Sequence, residues 1–81
     1  MPRVELFGGL REAVDGAESV EVEGATISEL LQNLTRKYPP MRERIGQGVA
    51  VAVNGVIYRD DWEQPIPEGA EVVLLSRIAG G

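Results

Sequence analysis

One stretch of this chain has an unmistakable helical period: TISELLQNLTRKYPP, residues 26–40. Ile27, Leu30, Leu31, Leu34 and Tyr38 recur at helical spacing, so a helix here carries one apolar stripe that has to be covered. Thr26 and Glu29 fit a capping box, in which hydroxyl and carboxylate satisfy exposed amides at the start of the helix. Pro39 and Pro40 predict its end. Everything else with a clear pattern alternates at the period of a strand. The chain therefore has to wrap a small sheet around a single helix.

The strands are legible one by one. RVELF (residues 3–7) puts Val4 and Leu6 on one face and Glu5 and Phe7 on the other, and Gly8-Gly9 ends it. LREAVDGAE is read as a short helical turn or a loop. SVEVEG alternates Val20 and Val22 with Glu21 and Glu23, which predicts a half-buried strand pairing with the first. GVAVAVNGVIY predicts a hairpin: Val49, Val51 and Val53 share one face, Ala50 and Ala52 the other, and Asn54-Gly55 is a favoured two-residue turn. A turn at Glu68-Gly69 leads into a last strand, residues 71–76. The order β, β, α, β, short β, β predicts an α+β fold of the β-grasp (ubiquitin-like) type. In it, a mixed sheet of about five strands packs on one main helix, with the first and last strands adjacent at the centre. Residues 1–76 are expected to form this domain, and 77–81 a C-terminal tail.

Composition removes much chemistry. With 81 residues there is one domain and a modest core. Cys and His are absent, so disulfides, iron–sulfur clusters, thiolate nucleophiles and a Ser–His–Asp triad are excluded, and a zinc site lacks its usual ligands. A net charge of −5 argues against nucleic acid as a partner. No run approaches the roughly 20 apolar residues of a membrane span, and no basic, apolar leader stands at the start, so a cytoplasmic protein is expected. Asp60, Asp61 and Glu63 could act as an acid–base pair or hold a hard cation weakly, but their polar loop setting favours solvated charges.

Two features carry function. The last strand has Val72 and Leu74 on one face and Val73 and Leu75 on the other. One helix covers one face only, so Val73, Leu75 and Phe7 are expected to form a binding patch. The competing possibility is that the DDWEQPIP loop folds over them, bringing Trp62 and Ile66. Beyond Ser76, the tail RIAGG reaches roughly 16–18 Å when extended, and its two glycines pass channels that any side chain would block. Attack by the Gly81 carboxylate on the α-phosphate of ATP gives an acyl-adenylate, a mixed anhydride that accepts sulfide or an amine. A chain without Cys can carry sulfur in this way, as a terminal thiocarboxylate.

The segments LFGGLREAV, LLQNLTRKYPPMRERI, VAVNGVIY, PIPEGAEVVLL and the final AGG together resemble the MoaD/ThiS family of sulfur-carrier proteins over nearly the whole chain. The Phe7–Glu12 pattern and the chain length look most like MoaD, the small subunit of molybdopterin synthase. RKYPPMRERI also recurs in related carriers that feed cysteine synthesis, and thiazole is a further product of such carriers. Many MoaD chains place proline just before the tail, where this one has Ser76-Arg77.

The resemblance implies that an E1-like adenylating enzyme (MoeB/ThiF-type) activates the terminal glycine with ATP and that sulfur is then installed. The tail next enters a MoaE-type large subunit, which uses the sulfur in molybdenum cofactor biosynthesis. On that basis Gly81 bears the sulfur and Gly80 threads the tail, while Phe7, Leu75, Val73 and Ile78 contact partners. Arg11 matches a family arginine, though by itself it is equally a solvated loop charge. No permanently bound cofactor or metal is expected; ATP belongs to the activating partner. A modifier joined through Gly81 to lysines of target proteins is the alternative from another class.

Overall fold

The computed structural model describes residues 2–76. Five strands are present: β1 (Arg3–Leu6), β2 (Ser19–Glu21), β3 (Val49–Val53), β4 (Val56–Tyr58) and β5 (Val72–Ser76). They form one sheet in the order β2-β1-β5-β3-β4. β1 runs parallel to β5, with Leu6 opposite Leu74, and the other neighbours are antiparallel. The first and last strands are thus side by side, with β5 at the centre. This is the β-grasp architecture that the order of apolar patterns predicts.

The main helix α1 (Ile27–Lys37) lies across one face. Its stripe does what the period demands: Ile27, Leu30, Leu31 and Leu34 are buried, and Tyr38 packs at the margin of the core. The capping box forms in both directions. The Glu29 amide donates to Thr26 Oγ1 at 3.2 Å, and the Ala25 amide donates to Glu29 Oε1 at 2.8 Å. Opposite the helix, Val4, Leu6, Val49, Val51, Val72 and Leu74 fill the inner sheet face. The strands and helix thereby share one core.

A second helix, α2 (Met41–Gln47), begins immediately after the two prolines. The sequence reading treats Pro39-Pro40 as a stop, which is right for α1. Proline is also tolerated at the start of a helix, because its missing N–H would have no partner there. Pro40, at φ −60°, caps α2. The segment MRERIGQ hides its period: it is two turns long, and only Met41 and Ile45 are apolar. Met41 is fully buried beneath it. Residues Gly8–Val14 form a 3₁₀ helix that buries Leu10, Ala13 and Val14, so the first loop is the helical alternative of the two expected. The Glu12 carboxylate of this segment accepts from Arg44 Nη2 of α2 at 3.0 Å.

One glycine is fixed by packing. A Cβ built on Gly24 would lie 2.6 Å from both the amide nitrogen and the Cα of Leu30, inside α1. Backbone cannot swing away as a side-chain tip can. Gly24→Ala is expected to destabilise the fold by about 1–3 kcal/mol or more, measured as a lowered urea midpoint. An unchanged midpoint would mean that the approach of this loop to the helix is looser than the structure shows.

Candidate functional site: the open sheet face

The face of the sheet away from α1 is built by the residues that alternate outward. Phe7 has extended backbone (φ −129°, ψ 154°), so it continues the alternation of β1 and points with Glu5 and Arg3. On β5 the outward residues are Val73 and Leu75. Register then lines up the neighbours. Leu75 is opposite Ala50, Val73 is opposite both Glu5 and Ala52, and Ala52 is opposite Ile57. Leu6 pairs with Leu74, so Phe7 and Leu75 follow at the same end of the sheet. The result is an apolar surface of Phe7, Leu75, Val73 and Ile57, with the buried Ala50 and Ala52 beneath it. Phe7 is 49% exposed and Ile57 is 53% exposed. Towards β2 the same face turns polar, with Glu5 opposite Ser19, Arg3 opposite Glu21, and Arg3 Nε donating to Ser19 Oγ at 3.1 Å.

The loop that could have covered this patch goes elsewhere. The carbonyls of Trp62 and Gln64 accept from the amides of Ser28 and Ile27, at 2.7 and 3.0 Å, which ties the loop to the first turn of α1. Ile66 is buried in the core and Trp62 packs against it on the helix side. The loop-cover alternative is therefore not realised, and the sheet face stays open. Within that loop Asp61 accepts from Gln64 Nε2, and among the described residues no group of three acidic side chains is placed to hold a metal ion.

Arg11 is not a solvated loop charge. Its Nε donates to the Leu6 carbonyl at 2.8 Å, and its guanidinium carbon lies 5.5 Å from the centroid of the Phe7 ring. Cation–π contact of this kind holds an aromatic ring in place from one side. Arg11 thus sits beside the patch, bracing Phe7 and the end of β1. Ile57 is the residue that sequence reading missed. The signal was present: a two-residue turn at Asn54-Gly55, both at positive φ (50° and 85°), fixes Val53 opposite Val56 and hence Ala52 opposite Ile57. Ile78, Gly80 and Gly81 lie outside the described residues. β5 ends at Ser76, opposite Val49, at the Phe7–Leu75 end of the patch.

The model of the ThiS family matches residues 4–81. The chain belongs to the ThiS family. No curated protein sequence gives a significant match. Among solved structures, the small archaeal modifier protein 1 (SAMP1) of Methanosarcina acetivorans is similar at 26% identity, covering 98% of this chain and 94% of that one, with a TM-score of 0.82. CysO of Mycobacterium tuberculosis, described as an antigen, shares the fold at 22% identity over 94% of this chain and 98% of its own, with a TM-score of 0.82. A chain of the Amycolatopsis orientalis BexX/CysO complex shares it at 24% identity over the whole of both chains, with a TM-score of 0.81.

This chain is thus a small ThiS-family, sulfur-carrier-type protein with the ubiquitin-like fold. Among its described residues, no helix is long and apolar enough to cross a membrane.

Proposed function

We propose that this ThiS-family chain is a sulfur carrier whose Gly81 carboxylate is activated and converted to a thiocarboxylate. The observation that carries the proposal is the uncovered apolar sheet face ending where β5 delivers the chain to its tail. Docking of that face on an E1-like partner would direct Gly81 into the partner's ATP site, with Gly80 threading the narrow entry and Ile78 contacting the partner. There a carboxylate oxygen attacks the α-phosphate and pyrophosphate leaves. A sulfur nucleophile then attacks the acyl carbon, the C–O bond to AMP breaks, and a C–S bond replaces it. Phe7, Leu75 and Val73 make the apolar contacts, and Arg11 positions Phe7.

For the acceptor, the proposal is a MoaE-type large subunit and the pterin precursor of molybdenum cofactor. Its support is the Phe7–Glu12 pattern together with chain length. A second reading, a modifier conjugated through Gly81 to lysines of other proteins, draws on the 26% likeness to a protein named as a modifier.

Reconstitution separates these outcomes. Thiocarboxylated chain is incubated with the molybdopterin synthase large subunit and its precursor, and in parallel with cysteine- and thiazole-forming acceptors. The expected result is sulfur consumption in the first mixture. Turnover only in another mixture moves the chain to that pathway. Isopeptide adducts at Gly81 in lysate, without turnover in any mixture, favour the modifier.

A further inference from the structure

An activated carboxyl terminus is an electrophile that travels with its own protein. Any accessible amine on the carrier can intercept it before the intended acceptor does. The distribution of nucleophiles in this chain is therefore informative. Cys and His are absent, and of eight basic residues only Lys37 is a lysine. The rest are arginines, whose guanidinium keeps its charge without offering a free lone pair.

The position of Lys37 completes the pattern. Its Nζ donates to the Glu21 carbonyl at 3.0 Å and stands 5.8 Å from the centroid of the Tyr38 ring. Glu21 pairs with Arg3 at the start of β1, whereas the tail leaves from Ser76 at the end of β5. Since Val4 is level with Val72, Glu21 and Ser76 differ by five positions along the strands and two strands across the sheet. That is about 16 Å along and about 10 Å across, or roughly 19 Å in all. Five fully extended tail residues reach about 16–18 Å, and Lys37 projects from α1, on the far face of the sheet. The chain enters β1 at that same distant end, because β1 and β5 run parallel.

Near the tail exit the cations are arginines. Arg11 is bound to Leu6, whose partner Leu74 is two residues from the end of β5, and Arg44 is on α2, just ahead of β3.

We propose that the chain is protected from acylating itself. Its one lysine is tied down at the sheet end opposite the tail, and arginine supplies positive charge wherever the activated Gly81 carbonyl can reach. This rests on the proposed activation of Gly81. The acceptor nucleophile then has to come from a partner, and Lys37 is the single side-chain amine at which a second copy could form an amide link. The excluded step is simple: a lysine amine attacks the Gly81 carbonyl carbon, an amide C–N bond forms, the bond to the leaving group breaks, and the amine's proton leaves with it.

The test uses the full chain carrying a chemical thioester at Gly81, made by intein cleavage with a small thiol, so no partner is needed and the result is independent of whether cells activate Gly81. Intact mass and denaturing gels follow its decay in mildly alkaline buffer. Wild-type chain is expected to give the hydrolysed carboxylate, with no species lighter than it by one water and no dimer. Arg11→Lys and, independently, Arg44→Lys are expected to divert a major share into the cyclised product lighter by one water, with the link mapped to the new lysine. Circular dichroism checks that each variant is folded. Two results would overturn the proposal: wild-type self-acylation mapped to Lys37 and removed by Lys37→Arg, or folded Arg→Lys variants that hydrolyse as cleanly as wild type.

Discussion

Deleting Gly81, or adding one residue after it, is expected to abolish sulfur transfer while leaving the unfolding midpoint unchanged. The reactive carbonyl would be moved by about 3.5 Å along the tail. A misplacement of even 1 Å at a reacting centre can cost about 10²-fold. An added residue also changes the nucleophile itself, since the activated group would no longer belong to glycine at that depth. The fold is indifferent because the core is closed by Leu74 and its neighbours, within β5. Adenylation measured by pyrophosphate release, alongside thermal unfolding of the same samples, separates the two effects. Full transfer by either variant would remove Gly81 from the chemistry.

The second large effect is at the docking face. Leu75→Glu places a carboxylate next to Phe7 and opposite Ala50, on the apolar surface at the end where the tail leaves. An unpaired charge buried in an interface costs about 2–5 kcal/mol, so affinity for the activating enzyme is expected to fall roughly 30- to several-thousand-fold. Phe7→Glu removes the aromatic ring beside Arg11 and is expected to act in the same direction. Both positions are outside the helix-side core, so circular dichroism and the folded fraction should be retained. Titration calorimetry against the activating enzyme provides the reading. Unchanged affinity in both variants would mean that docking uses another surface.

How far the sequence carries this account depends on the length scale of each signal. The α1 stripe and its capping box are read from adjacent residues and held in detail, since Thr26 and Glu29 need only each other and the local backbone. The hairpin at Asn54-Gly55 was equally legible, because φ > 0 at two consecutive positions selects those residues. The facing of Val73 and Leu75 followed from strand alternation alone.

What failed to show was either short or non-local. α2 escaped because two turns with two apolar residues give no period, and because proline marks a beginning as well as an end. The course of the Trp62 loop was undecidable from sequence, since its anchoring depends on backbone hydrogen bonds to α1 that any side chains could accompany. Arg11 reads as a surface charge until the fold brings the Leu6 carbonyl and the Phe7 ring around it.

The most direct measurement is the intact mass of the chain isolated from its native cells without reducing or nucleophilic additives. The account predicts a fraction heavier than the unmodified chain by the difference between sulfur and oxygen, located by fragmentation to Gly81 and lost on alkylation or hydrolysis. A population made up wholly of unmodified carboxylate under conditions of active sulfur metabolism, or chains trimmed upstream of Gly81, would contradict it.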